Sequence, residues 1–204
     1  GISNIKIEDI NFAKNIGYKI KLVSESSIIN GEIYNFTSPK LVSFNNPLAN
    51  VGDALNAINL ETDHLDNLFL EGQGAGGKPT TSSVLSDLYE ISQNNNFNNL
   101  GFKTKDLIKY KKFNLENIIN SYYLRIMTDD RSGVLSSITN HFTDSGISVE
   151  KILQLPDNSN LNAPIPIIIT THKIQREILN NVINKIEKLS FVKEKITVLP
   201  IHDN

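Results

Sequence analysis

Tyr123-Leu124-Arg125-Ile126-Met127, Gly133-Val134-Leu135-Ser136-Ser137-Ile138-Thr139-Asn140-His141-Phe142 and Ile147-Ser148-Val149-Glu150-Lys151-Ile152-Leu153-Gln154-Leu155 follow one another with only short polar breaks between them. The first run has the apolar, β-rich character of a strand. In the second, Val134, Leu135, Ile138 and Phe142 recur at helical spacing on one face, and the third returns to strand character, so the unit reads β-α-β. Working outward, Ile165 through Thr170 is another β-rich run. Ile174, Ile178, Leu179, Val182, Ile183 and Ile186 share a helix face, and Ile196 through Ile201 closes with a strand. The order βαββαβ predicts a ferredoxin-like plait over residues 120–204. Such a plait carries its helices on one sheet face and leaves strand edges uncovered, so two copies are expected to pair side by side as a homodimer or a higher homo-oligomer.

Toward the amino terminus the rhythm is less regular. Ile7, Ile10, Ala13 and Ile16 fall at helical spacing, with Ser3 and Asn4 as caps and Gly17 at the position just past a helix end. Tyr18-Lys19-Ile20-Lys21-Leu22 alternates with period two, and Asn30-Gly31 supplies the turn of a β-hairpin that continues into Ile33-Tyr34-Asn35-Phe36. Short apolar stretches at Leu41 to Phe44, Leu55 to Leu60 and Leu68 to Leu70 are separated by Asn-, Asp- and Pro-rich turns, and a helix follows with Val84, Leu85, Leu88 and Ile91. The fold class is α+β, with a partial mixed-sheet domain over residues 1–93 ahead of the plait. Residues 94–119, rich in Asn and Lys, read as a linker.

Composition narrows the function. At 204 residues, 39% hydrophobic and 21% charged, the chain has the make-up of an ordinary globular protein. A net charge of −2 gives no basic face to displace counterions from phosphates, so nucleic acid is not an expected partner. With no cysteine there is neither a disulfide nor a thiolate metal site, as suits a reducing compartment, and the cytosol is expected. The longest apolar run, Ile165 to Ile169, is broken by Pro166 and is too short to span a bilayer, and no leader is read at the start. His64, His141, His172 and His202 are scattered without metal-ligand spacing, so no metal is expected and each reads as a surface or rim residue. No Ser-His-Asp or Cys-His order is present, and Glu61, Asp63 and Asp66 read as solvated turn residues.

Gly72-Gln73-Gly74-Ala75-Gly76-Gly77 formally satisfies the glycine spacing of a dinucleotide fingerprint, after a strand and before a helix. A fingerprint of that kind belongs to a βαβ unit whose second strand ends in an acidic residue about 20 positions on. Here the helix runs instead into the Asn-rich stretch. With Lys78 the glycines also imitate a phosphate-binding loop, but Pro79 stands where Ser or Thr has to meet magnesium. What remains is physical. A run without Cβ atoms lets backbone approach a ligand, and a helix starting near Pro79-Thr80 aims its positive end there. A plain tight turn accounts for the same residues.

Asn46-Pro47-Leu48-Ala49 through Asn56-Ala57-Ile58, then Gly72 through Thr80 and Ser83-Val84-Leu85-Ser86-Asp87-Leu88, resembles the end of the homoserine dehydrogenase catalytic domain. In that family the Gly-Ala-Gly segment borders the nicotinamide and substrate cleft. The resemblance therefore implies Gly74, Ala75 and Gly76 as NAD(P)-binding positions that act by backbone approach. The family's substrate acids and catalytic lysine lie in an Asp-x-x-x-Lys motif upstream of the matched stretch, and its nucleotide domain lies further upstream. Neither is in this chain, and neither Lys19 nor Lys21 has an Asp four residues before it, so no catalytic residue is assigned. By itself the chain is expected to be inactive, although the whole enzyme interconverts L-aspartate 4-semialdehyde and L-homoserine.

Residues 122 to 201 are similar to ACT domains through Tyr122-Tyr123-Leu124-Arg125-Ile126, Asp130-Arg131-Ser132-Gly133-Val134-Leu135, Asp144-Ser145-Gly146-Ile147-Ser148-Val149 and Thr170-Thr171-His172. Ser132 stands where that family usually has Pro. The resemblance implies an amino-acid effector, with threonine the first candidate, held at an interface between paired domains by Asp130, Gly133, Gly146 and Ile147. The same four positions also suit a turn, a helix cap and dimer packing. A self-standing, non-catalytic amino-acid-sensing module is the alternative reading of the chain.

Overall fold

The computed structural model describes residues 2–93, 103–154 and 163–202. They fall into two units, Gly1–Phe44 with Lys111–Asn204, and Asn45–Tyr110.

The larger unit is built on one seven-stranded sheet. The hairpin β1 (Tyr18–Ile29) and β2 (Glu32–Ser43) turns at Asn30 (φ 49°) and Gly31 (φ 79°), the left-handed pair that matches hairpin twist. Later in the chain come β5 (Lys111–Lys112), β6 (Ile119–Asn120), β7 (Tyr122–Thr128), β8 (Val149–Gln154), β9 (Ile165–Thr171), β10 (Ile174–Gln175) and β11 (Thr197–His202). The sheet order is β1-β2-β11-β7-β9-β8, with β5 beside β2, while β10 and β6 make a separate two-residue pair. Within it β7, α3 (Val134–Asp144), β8, β9, α4 (Arg176–Ile186) and β11 form the expected βαββαβ plait.

The amino-terminal hairpin, however, does not build a sheet of its own. β2 pairs in parallel with β11 at Leu41↔Ile201 and Val42↔His202, extending the plait and covering one of its edges within the chain. β8 remains the other terminal strand. Leu41 to Phe44, expected as a separate segment, is the end of β2, which runs through Pro39 where β1 alone lies beside it.

The sheet is also covered on both faces rather than one. Along β7, Tyr122, Leu124 and Ile126 join Val134, Ile138, Phe142, Leu179, Val182 and Ile186 in a core beneath α3 and α4. Tyr123 points the other way and packs with Phe12, Ala13, Leu41, Ile168, Leu199 and Ile201 under α1 (Ile7–Asn15). Two-sided burial explains why β7 and β9 read as continuous apolar runs instead of alternating. The period of α1 is as expected but its buried face is rotated. Asp9, Phe12 and Ala13 are buried while Ile7 is 65% and Ile10 48% exposed. The N-cap is Lys6, not Ser3 or Asn4, and Lys6 N–H donates to the Asp9 side chain, Oδ2, at 2.9 Å.

From Lys111 onward the stretch expected as a linker is tied to the larger unit. Phe113 N–H donates to Ile33 O at 2.9 Å, Arg176 N–H to Ile118 O at 2.9 Å, and the Phe113 ring stands edge-on to Tyr34. Few apolar residues were needed, since backbone bonds do the holding. Residues 94–102 of that stretch lie outside the described residues.

The smaller unit consists of β3 (Leu55–Thr62) paired in antiparallel fashion with β4 (Asp66–Gln73), then α2 (Gly77–Ser92). All three occur where the apolar stretches predict them. No residue of α2 is buried, and Val84, Leu85, Leu88 and Ile91 are 51–71% exposed. A helix stripe of this kind ordinarily lies against another surface.

Candidate functional site

In the smaller unit, Gly74, Ala75 and Gly76 join β4 to α2. Gly74 N–H donates to Ala54 O at 3.0 Å, so it is already spent inside the unit. The reason for glycine here is its neighbour: a Cβ would sit 1.5 Å from Asn56 Nδ2. The left-handed residue of the loop is Gly76 (φ 117°), the N-cap of α2, and the helix starts at Gly77, ahead of the expected Pro79-Thr80. Its first intrahelical bond is Thr80 N–H to Gly76 O at 3.2 Å. The N–H groups of Gly77 and Lys78 precede that bond and are among the helix's unpaired donors, while Pro79 has none to offer. A Cβ at Gly72 or Gly77 would meet nothing within 4 Å, so ligand atoms can approach the backbone there. This fits a nucleotide held by backbone donors. A shallow cavity of about 270 Å³ is lined by residues of both strands, Asn56, Ile58, Leu70 and Gly72 among them, and by Gly74, without Ala75 or Gly76.

In the larger unit the four effector positions divide into two pairs. β7 ends at Thr128, paired with Ile165, so Asp130 and Gly133 lie at that end of the sheet. β8 begins at Val149, paired with Thr171 at the opposite end, so Gly146 and Ile147 lie there. Between the pairs runs α3, eleven residues long and thus about 16 Å. One copy does not bring the two pairs together. Gly133 caps α3 in the left-handed region (φ 87°) and Gly146 follows it in the same region (φ 68°), with no atom near either missing Cβ. Ile147 is buried in the helix-side core. The Asp130 loop is held by Asp129 N–H to Phe191 O (3.0 Å), Lys193 Nζ to Asp129 (3.0 Å) and Arg131 over the Phe191 ring.

Two polar groups escaped the sequence reading. Asp9 is wholly buried and accepts from Arg125 Nε (2.7 Å) and Tyr123 Oη (3.0 Å) on Oδ1, and from Arg125 Nη2 (3.3 Å) on Oδ2. Arg125 also donates to Thr197 Oγ1 at 2.9 Å. Burial pushes the Tyr123 hydroxyl far up, reinforced by the Asp9 charge; burial disfavours the Arg125 charge, but Asp9 outweighs it and the guanidinium pKa is raised. A charge inside the apolar strand was the available sign, because it requires a partner. The second group joins β1, β2 and β11. Glu25 pairs with the buried Lys40, with His202 Nδ1 at 2.9 Å, and accepts from Tyr34 Oη at 3.3 Å. Burial alone raises the Glu25 pKa, but hydrogen bonds from His202 and Lys40 and their charges hold it at about 2. Among the described residues no cluster of His, Asp and Glu is placed to hold a metal, and no helix is long and apolar enough to cross a membrane.

Comparison with known proteins follows the same division. A homoserine dehydrogenase family model matches residues 1–89 and an ACT domain model matches residues 122–191. The chain is 31% identical over 209 residues to a homoserine dehydrogenase of Bacillus subtilis, covering 100% of this chain and 47% of that protein. It is 29% identical over 198 residues to one from Pseudomonas aeruginosa, covering 94% and 45%. The solved homoserine dehydrogenase of Thiobacillus denitrificans superposes with a TM-score of 0.84 at 30% identity, covering 100% of this chain and 47% of that one. The chain spans about half the length of the relatives it matches.

Proposed function

With residues 1–89 belonging to the homoserine dehydrogenase family and residues 122–191 to the ACT domain family, we propose that the chain is the carboxy-terminal portion of an NAD(P)-dependent homoserine dehydrogenase whose ACT domain responds to an amino acid. The reaction is the interconversion of L-aspartate 4-semialdehyde and L-homoserine, on the way to threonine and methionine, in the cytosol. The match over residues 1–89 favours this reading over a self-standing sensor.

The observation that carries it is the Gly74–Gly77 loop between β4 and α2. When bound, the nicotinamide nucleotide supplies or accepts the hydride. The chain's own part is positional: Gly72 and Gly77 leave the backbone approachable, the start of α2 offers N–H groups and a positive end to an anion, and Asn56 with the Gly74–Ala54 bond fixes the loop. No side chain of the loop moves a proton. By the family resemblance, acid-base chemistry would fall to an Asp-x-x-x-Lys motif, and the chain by itself is expected not to turn over substrate. Assay of semialdehyde reduction with NADPH tests this. The chain alone is expected to be silent, and mixing it with a polypeptide carrying the nucleotide domain and that motif is expected to restore turnover. Activity of the chain alone, or silence of a folded mixture, contradicts the reading.

The effector half is a proposal about two copies. β2 already covers the β11 edge of the plait, so the plait's own open edge is β8, and the pairing is proposed there. Two-fold antiparallel pairing of β8 strands sets the Asp130 loop of one copy towards the Gly146 turn of the other, reuniting the pairs that one copy separates. An effector carboxylate then meets the N-terminus of α3 beyond Gly133, and Asp130 receives its ammonium group.

A further inference from the structure

The two terminal strands of the large sheet differ in kind. β8 is six residues long and bulged at Glu150, where its register with β9 shifts between Val149 and Lys151. β1 runs for 12 residues, pairs with β2 in unbroken register from Tyr18 to Ile29, and has no other strand beside it among the described residues. Short, bulged or proline-bearing edges resist pairing with another chain, whereas a long regular one invites it. We propose that the outer edge of β1 is a self-association surface separate from β8, on which another copy lays its own β1 in antiparallel fashion with Leu22 opposite Leu22. This surface shares no residue with the glycine loop or with Asp130, Gly133, Gly146 and Ile147.

The hairpin decides which backbone groups face outward. Its two-residue turn at Asn30-Gly31 makes Ile29 and Glu32 a hydrogen-bonded pair, and the alternation of an antiparallel ladder turns the N–H and C=O groups of odd-numbered β1 residues toward β2. Two bonds keep that phase: Phe44 N–H donates to Gly17 O at 3.0 Å, and Phe113 N–H donates to Ile33 O on the side of β2 away from β1. The backbone groups of Ile20, Leu22, Ser24, Ser26 and Ile28 therefore face the open side, on an edge about 40 Å long.

Side chains select the register. Two copies related by a two-fold axis must match even residues with even ones if their outward groups are to meet. With the axis at Leu22, a side chain 62% exposed in one copy covers its own counterpart, and Lys19 of each copy stands opposite Glu25 of the other. Lys19 and Glu25 are then a pair without mutual backbone bonds, the kind in which opposite side chains lie closer, and opposite charges there are favourable. An axis at Lys21 or at Glu25 sets like charges against each other, and an axis at Val23 or Ser24 leaves Leu22 against Ser24 or Ser26. One leucine and two charge pairs bury far less than a permanent interface needs, so the contact is transient and does not set the mass of the chain at dilution.

The chain has no cysteine, which opens a direct test of this register. Leu22→Cys gives each copy one thiol, and hydrogen-bonded opposite residues of an antiparallel pair lie about 5.5 Å apart at Cα, within reach of a disulfide. Mild oxidation of the full-chain variant is expected to yield a crosslinked pair. Ser26→Cys, whose counterpart in this register is Tyr18, is expected to crosslink about tenfold more slowly or less. Lys19→Glu in the Leu22→Cys background sets like charges opposite each other twice and is expected to slow crosslinking about tenfold. Ser24→Pro removes an outward N–H without touching the ladder to β2 and is expected to act in the same direction. Ile152→Pro, on the opposite edge, is expected to leave the rate as it was. No crosslink, equal rates at the two cysteine positions, a rate unmoved by both Lys19→Glu and Ser24→Pro, or a rate that falls with Ile152→Pro would overturn the proposal. So would loss of the crosslink on adding a polypeptide that carries the nucleotide domain, because that polypeptide would then be the occupant of the edge.

Discussion

Asp9 and Arg125, 116 positions apart in the chain, form a buried two-point ion pair that fastens α1 to the second residue layer of β7, with Nε to Oδ1 at 2.7 Å and Nη2 to Oδ2 at 3.3 Å. One partner lies in the stretch matched by the dehydrogenase family and the other in the ACT stretch. A polar contact thus adds to the apolar packing of Phe12, Ala13 and Leu41 against Tyr123 and Ile168 that joins the two matched stretches.

Removing one partner leaves a charge in that layer. Asp9→Ala and Arg125→Met are each expected to cost about 3–5 kcal/mol in denaturant unfolding of the chain. Replacing both, Asp9→Leu with Arg125→Met, is expected to recover most of the loss because no charge is stranded. A double variant as unstable as the sum of the singles would show that the pair is not coupled.

Glu25 sets an acid limit. Its pKa is about 2 in the fold against 4.5 for an ordinary glutamate, so the folded state binds fewer protons than the unfolded state between those values. The stabilisation is fully present above pH 4.5 and is lost as pH falls toward 2, with a size on the order of 2 kcal/mol. Glu25→Gln is expected to flatten the stability profile across this window. An unchanged slope between wild type and variant in acid unfolding would remove Glu25 from the account.

Gly74 separates a packing role from a binding role. Gly74→Ala places a methyl group against the Asn56 amide and is expected to disturb the β3–β4 end, with Asn56→Gly relieving it. In the completed enzyme, Gly74→Val is expected to reduce turnover at least tenfold, since the loop can no longer keep its course toward the nucleotide. Kinetics and nucleotide affinity equal to wild type in that variant would leave the loop as a turn only.

Pairing through β8 is checked by sedimentation. The chain is expected to be dimeric, and Ile152→Pro, which removes a donor from the edge, is expected to shift it toward monomer. Calorimetry with threonine should then lose its heat in Asp130→Ala and in Gly146→Val, the latter strained at φ 68°. A monomeric wild type, or heat unaffected by all three changes, contradicts the two-copy site.

Much of this was legible because the two periodicities are clear. Val134, Ile138 and Phe142 announced α3, and Asn30-Gly31 announced the hairpin with its positive φ values. What periodicity does not carry is which strand lies beside which. Nothing in Leu41-Val42 or Ile201-His202 states that they pair, so the hairpin's place in the ACT sheet was not foreseen. The rotated face of α1 has the same origin. Ile7 and Ile10 are the more apolar choice, but Asp9 is drawn inward by Arg125, a partner that no local pattern reveals. The glycine loop was visible as a motif, while the reason for Gly74, the Asn56 amide across the hairpin, is a tertiary fact. The bulge at Glu150 has no local sign, because it depends on the register of the neighbouring strand.

β11 lies between β2 and β7, with Leu41 on one side of Ile201 and Tyr123 on the other side of Leu199. A chain made from its amino end therefore holds the hairpin and the first three strands of the plait before the strand that joins them exists. Until residues 197–202 leave the ribosome, β2 and β7 each keep an open edge, and the sheet closes only through contacts very distant in sequence. Such closure is slow in proteins dominated by non-local pairing. The interval of synthesis, rather than the finished fold, is when this protein is most exposed to mispairing with another copy of itself.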